Sequence, residues 1–332
     1  MRYPALAFCL FLALTAAAAA ASTPEEEAAN RQKFREDINE GIELLRTESQ
    51  GENSRAMGRF KNALKLFPAS QEAAEAYYWI ALTYSDQSNY PRAAENIRDA
   101  TVYDEDMMEA WLLWGQTLLY MRQYPEALEK LERASQLAPD DPFVLFNLGR
   151  VHYHGFKNAD TALTKFRGAW QRGQALRRDN PEMIALTIRS RLYIGICEYD
   201  RGMRQKNPMN FESAINAFQD VLREQPNNYD AQIRLAMALR RVNRAPESAS
   251  ILAQITQNLQ NAGDSMRPVL AEAYLQLGDL YLKEPQVMDR DSRLYAKFNL
   301  QAFLSLLDER SNHPYQDAVR EYLAATEGGS AR

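Results

Sequence analysis

Apolar side chains recur at helical spacing along most of this chain. In one stretch they stand three or four residues apart at Tyr77, Ile80, Ala81 and Tyr84, and again at Ala93, Ile97 and Ala100. Residues at this spacing share one face of an α-helix. The pattern therefore predicts two amphipathic helices joined by a short polar turn.

The same pattern returns 34 residues further on. Its second copy consists of Trp111, Trp114, Gly115 and Leu118, then Ala127, Leu131 and Ala134, and it closes with Pro139. A third copy continues at Leu145, Leu148, Gly149 and His152, but its second half slips by one residue, to Phe166 and Ala169. A fixed period of this length is the signature of a helical repeat protein.

The period and its key residues resemble the tetratricopeptide repeat. In that family an aromatic residue, Leu-Gly and Tyr lie on a first helix, Ala, an aromatic or Leu, and Ala lie on a second, and Pro ends the unit. Trp111, Gly115, Ala127 and Pro139 match these positions. Small residues at Gly115 and Ala127 allow two helices to cross closely, and Asp140-Asp141-Pro142 offers an N-cap for the next helix.

The resemblance covers residues 34–326 and implies a right-handed α-solenoid of about seven helix pairs with a C-terminal capping helix. Repeats one, five and seven fit only with enlarged turns, and that of repeat five would run through residues 201–208. We expect a flexible acidic lead over 22–33, the repeats over 34–314, and a capping helix and tail over 315–332.

The N-terminus has the pattern of an export signal. A basic start, an apolar run over 5–14 and an Ala-x-Ala site predict a secretory signal peptide over 1–21, and an uncleaved anchor is the alternative. No other stretch reaches the roughly 20 apolar residues of a membrane span. We therefore expect an exported protein of the bacterial periplasm or medium, with no transmembrane segment after signal cleavage.

Residues that could carry catalysis are scattered. His152 and His154 are two apart, so on a helix they point to different sides, and His313 stands alone. Phosphate-binding glycine loops and nucleophile elbows are absent from the sequence. Cys197 lies on an apolar face, which favours a buried side chain over a reactive thiol. We predict no enzyme, no cofactor and no metal site.

Charge is uneven along the chain. The net charge is −5 and the isoelectric point near 5.5, which argues against a nucleic-acid partner. Between residues 150 and 206, however, twelve Lys and Arg face five Asp and Glu. This stretch is either an ordinary solvated surface or a binding surface for an acidic partner, and an anionic envelope polysaccharide is the alternative to a protein.

By the family resemblance, the first helices line a concave groove that takes partners. The predicted partner-binding residues on this wall are Tyr78, Leu112, Tyr120, Phe146, Arg150, Tyr153, Arg189, Tyr199, Arg240 and Arg241. Aromatic and Arg side chains are enriched at binding hot spots, and Arg grips carboxylates. We expect a cell-envelope adaptor or scaffold that binds a peptide or helix of another protein. The arginines suit a partner that carries carboxylates. The alternative for Phe146, Tyr153 and Tyr199 is packing between helices.

Overall fold

The structure is a computed structural model that describes residues 23–47, 50–284, 287, 291–307 and 313–328. Across these residues it contains 15 α-helices and no strand. The predicted signal peptide lies outside the described residues. The described residues up to Pro139 form one compact unit, unit 1, and those from Asp140 onward form a second, unit 2.

Unit 1 is made of three helix pairs, and each helix packs against the next one along the chain. Its helices are α1 (Pro24–Leu45), α2 (Gln50–Leu66), α3 (Gln71–Asp86), α4 (Tyr90–Tyr103), α5 (Met108–Tyr120) and α6 (Tyr124–Leu137). The predicted wall residues of this unit lie on the first helices of the second and third pairs, Tyr78 on α3 and Leu112 and Tyr120 on α5.

Unit 2 continues the same alternation with four pairs and a closing helix. Its helices are α7 (Pro142–Arg150), α8 (Ala159–Leu176), α9 (Pro181–Gln205), α10 (Pro208–Glu224), α11 (Tyr229–Arg241), α12 (Ala245–Leu259), α13 (Arg267–Lys283), α14 (Ser292–Leu306) and α15 (Gln316–Gly328). In α15, Val319 and Leu323 pack on the cluster around Phe303. The predicted all-α fold of paired helices with a C-terminal capping helix is confirmed.

Glycine allows the two helices of a pair to approach closely. A Cβ atom built on Gly115 would lie 2.4 Å from Cγ of Leu131, and one on Gly195 would lie 2.6 Å from the ring of Phe218. Neither distance is possible for a real Cβ atom, so any larger residue would push the helices apart. The predicted close crossing at Gly115 is therefore confirmed.

Asp and Asn side chains start several of the helices. The Asp141 carboxylate accepts a hydrogen bond from the Val144 N–H at 2.9 Å, as the sequence predicts for this position. Asn180 caps α9 in the same way, accepting from the N–H of Met183 at 3.0 Å. These bonds satisfy backbone donors that have no partner within the helix.

The expected flexible lead over 22–33 is wrong from Pro24 onward, because α1 begins there. Thr23 and Glu26 form a capping box, in which each side chain accepts a hydrogen bond from the backbone N–H of the other residue. The acidic residues at 25–27 lie in the first turn, where the helix dipole favours negative charge. The acidic sequence therefore starts a helix.

The enlarged turn predicted for repeat five is also wrong, because most of it is helix. Helix α9 runs to Gln205 and α10 starts at Pro208, so only Lys206 and Asn207 connect them. A Cβ on Gly202 would lie 2.7 Å from the Phe211 ring. This contact repeats the contact between Gly195 and Phe218, two turns later in α9 and two turns earlier in α10. The extra residues thus lengthen the packed pair.

The one-residue slip of the pattern at Phe166 and Ala169 has a structural cause. Directly after α7, residues Val151–Gly155 form a single π-helical turn. A π turn holds one more residue than the α-helical path it replaces. The additional residue is absorbed within the first helix, and the second helix packs normally, with Gly149 against the ring of Phe166.

Candidate functional site

Nine of the ten predicted inner-wall residues keep some exposure to solvent. Those that are exposed are Tyr120, Arg189 and Arg241, and those that are half-buried are Tyr78, Leu112, Arg150, Tyr153, Tyr199 and Arg240. Phe146 is only 4% exposed and belongs to the core. Its assignment to the binding wall is wrong.

Phe146 is buried because other rings and a guanidinium surround it. Its ring lies 5.6 Å from that of Phe166 and 5.7 Å from that of Tyr193, measured between centroids. The guanidinium carbon of Arg189 lies 5.6 Å from its centroid. Arg189 therefore covers this ring, and the alternative interpretation of Phe146 as a packing residue is confirmed.

Tyr153, in the π turn, is held by a polar contact within unit 2. Its hydroxyl donates to Oδ2 of Asp200 at 2.8 Å. Burial, followed by the hydrogen bond to Asp200, raises the pKa of Tyr153 above its usual value. The next residue, His154, places Nε2 3.1 Å from the Tyr193 hydroxyl. These bonds tie the π turn to α9, so Tyr153 has a packing role as well as a half-exposed surface.

The thiol of Cys197, on α9, lies in the hydrophobic core of unit 2. Cys197 is buried, and desolvation raises the pKa of its thiol to about 12, so the thiol is protonated at neutral pH. Among the described residues no cluster of His, Cys, Asp or Glu could hold a metal ion. The expectation of a buried Cys197 is confirmed.

Three of the predicted residues meet in one cavity of unit 2, which we call the Arg240 pocket. It has a volume of about 300 Å³ and is formed by the first helices α9, α11 and α13. Its lining residues are Tyr199, Met237, Arg240, Arg241, Leu275, Gln276, Asp279, Lys283, Glu284 and Tyr315. The pocket thus combines aromatic and aliphatic walls with charged groups.

The charged groups of the Arg240 pocket are partly paired with one another. Arg240 Nη1 lies 3.1 Å from Oδ2 of Asp279, and Lys283 Nζ lies 2.8 Å from the other oxygen of the same carboxylate. The Arg240 side chain is only 14% exposed. Arg241 is exposed, and its Nε donates to the Tyr199 hydroxyl at 3.4 Å. Its guanidinium is therefore an accessible cation of the pocket, and the ammonium group of Lys283, 67% exposed, is another.

The comparison with known proteins identifies the repeat. Two tetratricopeptide-repeat family models match residues 112–175 and 210–267. The family model of subunit 3 of the anaphase-promoting complex, or cyclosome, matches residues 49–134. The chain is a tetratricopeptide-repeat protein.

Solved structures with this fold cover most of the tetratricopeptide-repeat protein. PilF of Pseudomonas aeruginosa matches with a TM-score of 0.59 and 17% identity, over 77% of this chain and 100% of its own. PilW, a widely conserved type IV pilus biogenesis factor, matches with a TM-score of 0.56 and 18% identity, over 75% and 98%. A repeat protein from Parabacteroides merdae matches with 0.55 and 14%, over 89% and 99%. At these identities the likeness shows the fold.

Tetratricopeptide-repeat proteins bind protein partners, and the family is typically a non-catalytic scaffold. No helix in the described part of the chain has both the length and the apolar character that crossing a membrane requires. The fold thus agrees with the predicted class of protein, and the residues that bind remain a prediction.

The set of wall residues predicted from the sequence ends one repeat too early. Asp279, Lys283 and Gln276 of α13 line the Arg240 pocket but were not predicted. The sequence does contain a signal for them. Asp279 directly follows Gly278, just as Met237, which also lines the pocket, directly follows Ala236 in the preceding repeat. Tyr315 precedes α15, outside the repeat pattern, and no periodicity could have assigned it to the pocket.

The basic stretch at 150–206 is less cationic in the fold than in the sequence. Six of its twelve Lys and Arg side chains form ion pairs with Asp or Glu of unit 2: Arg167, Arg172, Arg177, Arg191, Arg201 and Arg204. Three of their acceptors, Asp140, Asp220 and Glu224, lie outside the stretch. The surface is therefore a mixture of both signs.

Proposed function

We propose that this protein is a non-enzymatic adaptor that holds a segment of another protein in the Arg240 pocket. The observation that carries the proposal is the position of Arg241, an exposed guanidinium beside the Tyr199 ring on the first helices of successive repeats. Arg and Tyr side chains are the types that most often dominate binding energy.

The lining of the pocket defines the partner segment. Arg241 would pair with a carboxylate of that segment, since a guanidinium can donate two parallel hydrogen bonds to one carboxylate. Met237, Leu275 and the Tyr315 ring would contact an apolar side chain next to it. A volume of about 300 Å³ fits one or two side chains. The ligand is thus a short acidic and apolar segment of a protein.

The existing ion pairs prepare the pocket for this ligand. Asp279 holds Arg240 and Lys283 in place, so these cations lose little freedom when a ligand binds. Asp279 also offsets part of the positive charge, which favours a ligand with one carboxylate over a strongly acidic chain.

We place the adaptor in the cell envelope. Support comes from the export signal pattern of residues 1–21 and from the shared fold with PilW, itself a type IV pilus biogenesis factor. The alternative, an anionic envelope polysaccharide bound to the basic stretch, has less support because half of its cations are already paired with carboxylates.

The proposal is tested by selecting peptides on the protein and measuring their affinity. A displayed random peptide library is panned on the full chain, and the selected peptides are titrated against variants by fluorescence anisotropy. We expect enrichment of Asp and Glu next to apolar residues. Arg241→Glu should weaken binding by at least about tenfold, because it places like charges together.

The matched control is Arg178→Glu, which makes the same charge change at an exposed position outside the pocket. This control should bind like the wild type. Equal affinity of Arg241→Glu and the wild type would contradict the proposal. Salt-sensitive retention of the protein on an anionic polysaccharide, unaffected by Arg241→Glu, would favour the alternative.

A further inference from the structure

Unit 1 contains a second open site, which we call the Tyr78 groove. It has a volume of about 570 Å³ and is formed by the start of α3, the connection between α4 and α5, and the start of α5. Its lining residues are Gln71, Glu72, Ala74, Glu75, Tyr78, Trp79, Asp104, Met107 and Glu109. Four of these nine residues are acidic and none is basic.

The helix dipole accounts for only part of this acidity. Glu72 and Glu109 lie in the first turns of α3 and α5, where a carboxylate stabilises the helix itself. Glu72 also pairs with Arg31 at 3.3 Å. Glu75 lies beyond the first turn of α3 and is exposed at the groove. Its carboxylate has no such role in the helix and is available to a ligand.

The aromatic wall of the groove is fixed by packing. The Trp79 ring stacks on Phe60 with centroids 6.1 Å apart, and Tyr78 meets Trp79 edge to face at 5.3 Å. Both rings are half-buried, so each still presents surface to solvent. Rings held in this way can contact a ligand without further loss of freedom.

We propose that the Tyr78 groove docks a basic segment of a second protein partner, with an Arg or Lys side chain between Glu75 and the aromatic wall. An ammonium or guanidinium group is attracted both by carboxylates and by the faces of Trp and Tyr rings. The methionine and alanine in the lining suit the apolar part of such a side chain.

The charge of unit 1 as a whole favours the same partner. Between residues 23 and 139 there are 13 Lys and Arg and 21 Asp and Glu, a net charge of −8. From 140 to 332 there are 25 and 23, a net charge of +2. A field of one sign raises the local concentration of an oppositely charged ligand and speeds its association. Unit 1 therefore attracts basic segments and unit 2 does not.

The test uses the full chain with ¹³C-labelled methionine methyl groups and follows Met107, which lines the groove. The Met107→Leu variant assigns its resonance. The probe is a short capped peptide containing Arg-Leu-Lys between Gly and Ser residues. We expect a saturable shift of the Met107 methyl signal that weakens as salt is added, and no shift of Met237 in the Arg240 pocket.

Glu75→Lys should weaken this binding at least about tenfold, because the new ammonium group repels the probe. Glu126→Lys makes the same charge change at an exposed position of α6 outside the groove and should bind like the wild type. Glu75→Gln, which adds no charge, provides a milder second variant and should give an intermediate affinity.

Three results would overturn the inference: no Met107 shift, an equal shift with a Glu-Leu-Glu peptide, or equal weakening by the two lysine variants. Failure here would leave the Arg240 pocket unaffected, since that pocket is reported by Met237.

Discussion

The two units use the same repeat in different ways. Unit 1 has a net charge of −8, and its groove has four carboxylates and no basic side chain in its lining. Unit 2 is nearly neutral, and its pocket presents Arg241 beside an internal ion-pair network. The glycine and alanine positions that pack the helices are the same in both. The difference shows that partner preference can change along a repeat protein while its packing rule stays constant.

Unit 2 accommodates extra residues in two ways. In unit 2, a π turn absorbs one residue after α7, and α9 and α10 extend past the normal end of a repeat. Both additions lie beside polar contacts, such as the Tyr153 hydroxyl with Asp200. Insertions in this fold can therefore lengthen helices and add contacts without producing long loops.

The largest expected effect concerns the lengthened helices of unit 2. Phe211→Ala should lower the free energy of unfolding by about 3–5 kcal/mol, because the ring is 6% exposed and packs on Gly202. Met209→Ala, two residues away but 70% exposed, should change it by no more than about 0.5 kcal/mol. Urea unfolding followed by circular dichroism measures both. Equal effects would mean that this region does not pack as helices.

A smaller effect concerns the glycines that both units share. Gly115→Ala in unit 1 and Gly195→Ala in unit 2 should each lower the free energy of unfolding by about 1–3 kcal/mol, because the added methyl group collides with a buried side chain. Gly58→Ala has open space and should raise it by up to about 1 kcal/mol. Thermal and urea unfolding give these values. If Gly195→Ala is stabilising, the close approach in unit 2 is wrong.

The smallest effect is a pH dependence that belongs to the π turn of unit 2. Burial, then Arg150 and Lys157, lower the pKa of His154 below its usual 6.5. As the pH falls below about 6.5, the unfolded chain binds a proton more readily than the folded chain, so the free energy of unfolding decreases. The stability that comes from burying the neutral His154 imidazole is fully present above about pH 6.5 and is lost as the pH falls.

His154→Gln should flatten this part of the stability curve between neutral and mildly acidic pH, as measured by urea unfolding at several pH values. His313→Gln is the matched control and should keep the slope that His154 causes. An unchanged slope in His154→Gln would show that the π turn does not exclude the charged imidazole.

Local rules explain why the fold could be predicted. Each of these rules concerns residues that are close in sequence. Gly115 and Ala127 mark the close crossing of two consecutive helices, Pro139 marks a helix end, and Asp141 marks an N-cap. The enlarged turn was predicted wrongly because Gly and Pro occur both in turns and in packed helices. Gly202 and Pro208 look like turn signals, but Gly202 admits the Phe211 ring and Pro208 starts α10.

The candidate site was harder to predict because its pairs are distant in sequence. Arg240 and Asp279 are 39 residues apart, and their contact depends on the packing of α11 beside α13. Phe146 carries the right position and residue type for a wall, but Arg189 and Tyr193 cover it. The repeat pattern tells which helix faces inward, and only the three-dimensional packing tells which of its side chains stay accessible.

The most direct test of the two binding sites follows both methionine methyl groups in one sample. The Arg-Leu-Lys peptide and a Glu-Leu-Glu peptide are added in turn to the labelled full chain, in which Met107 lines the Tyr78 groove and Met237 the Arg240 pocket. We predict that the basic peptide shifts only Met107 and the acidic peptide only Met237. Shifts of both methyl groups by either peptide, or of neither by both, would contradict the assignment of opposite partners to the two units.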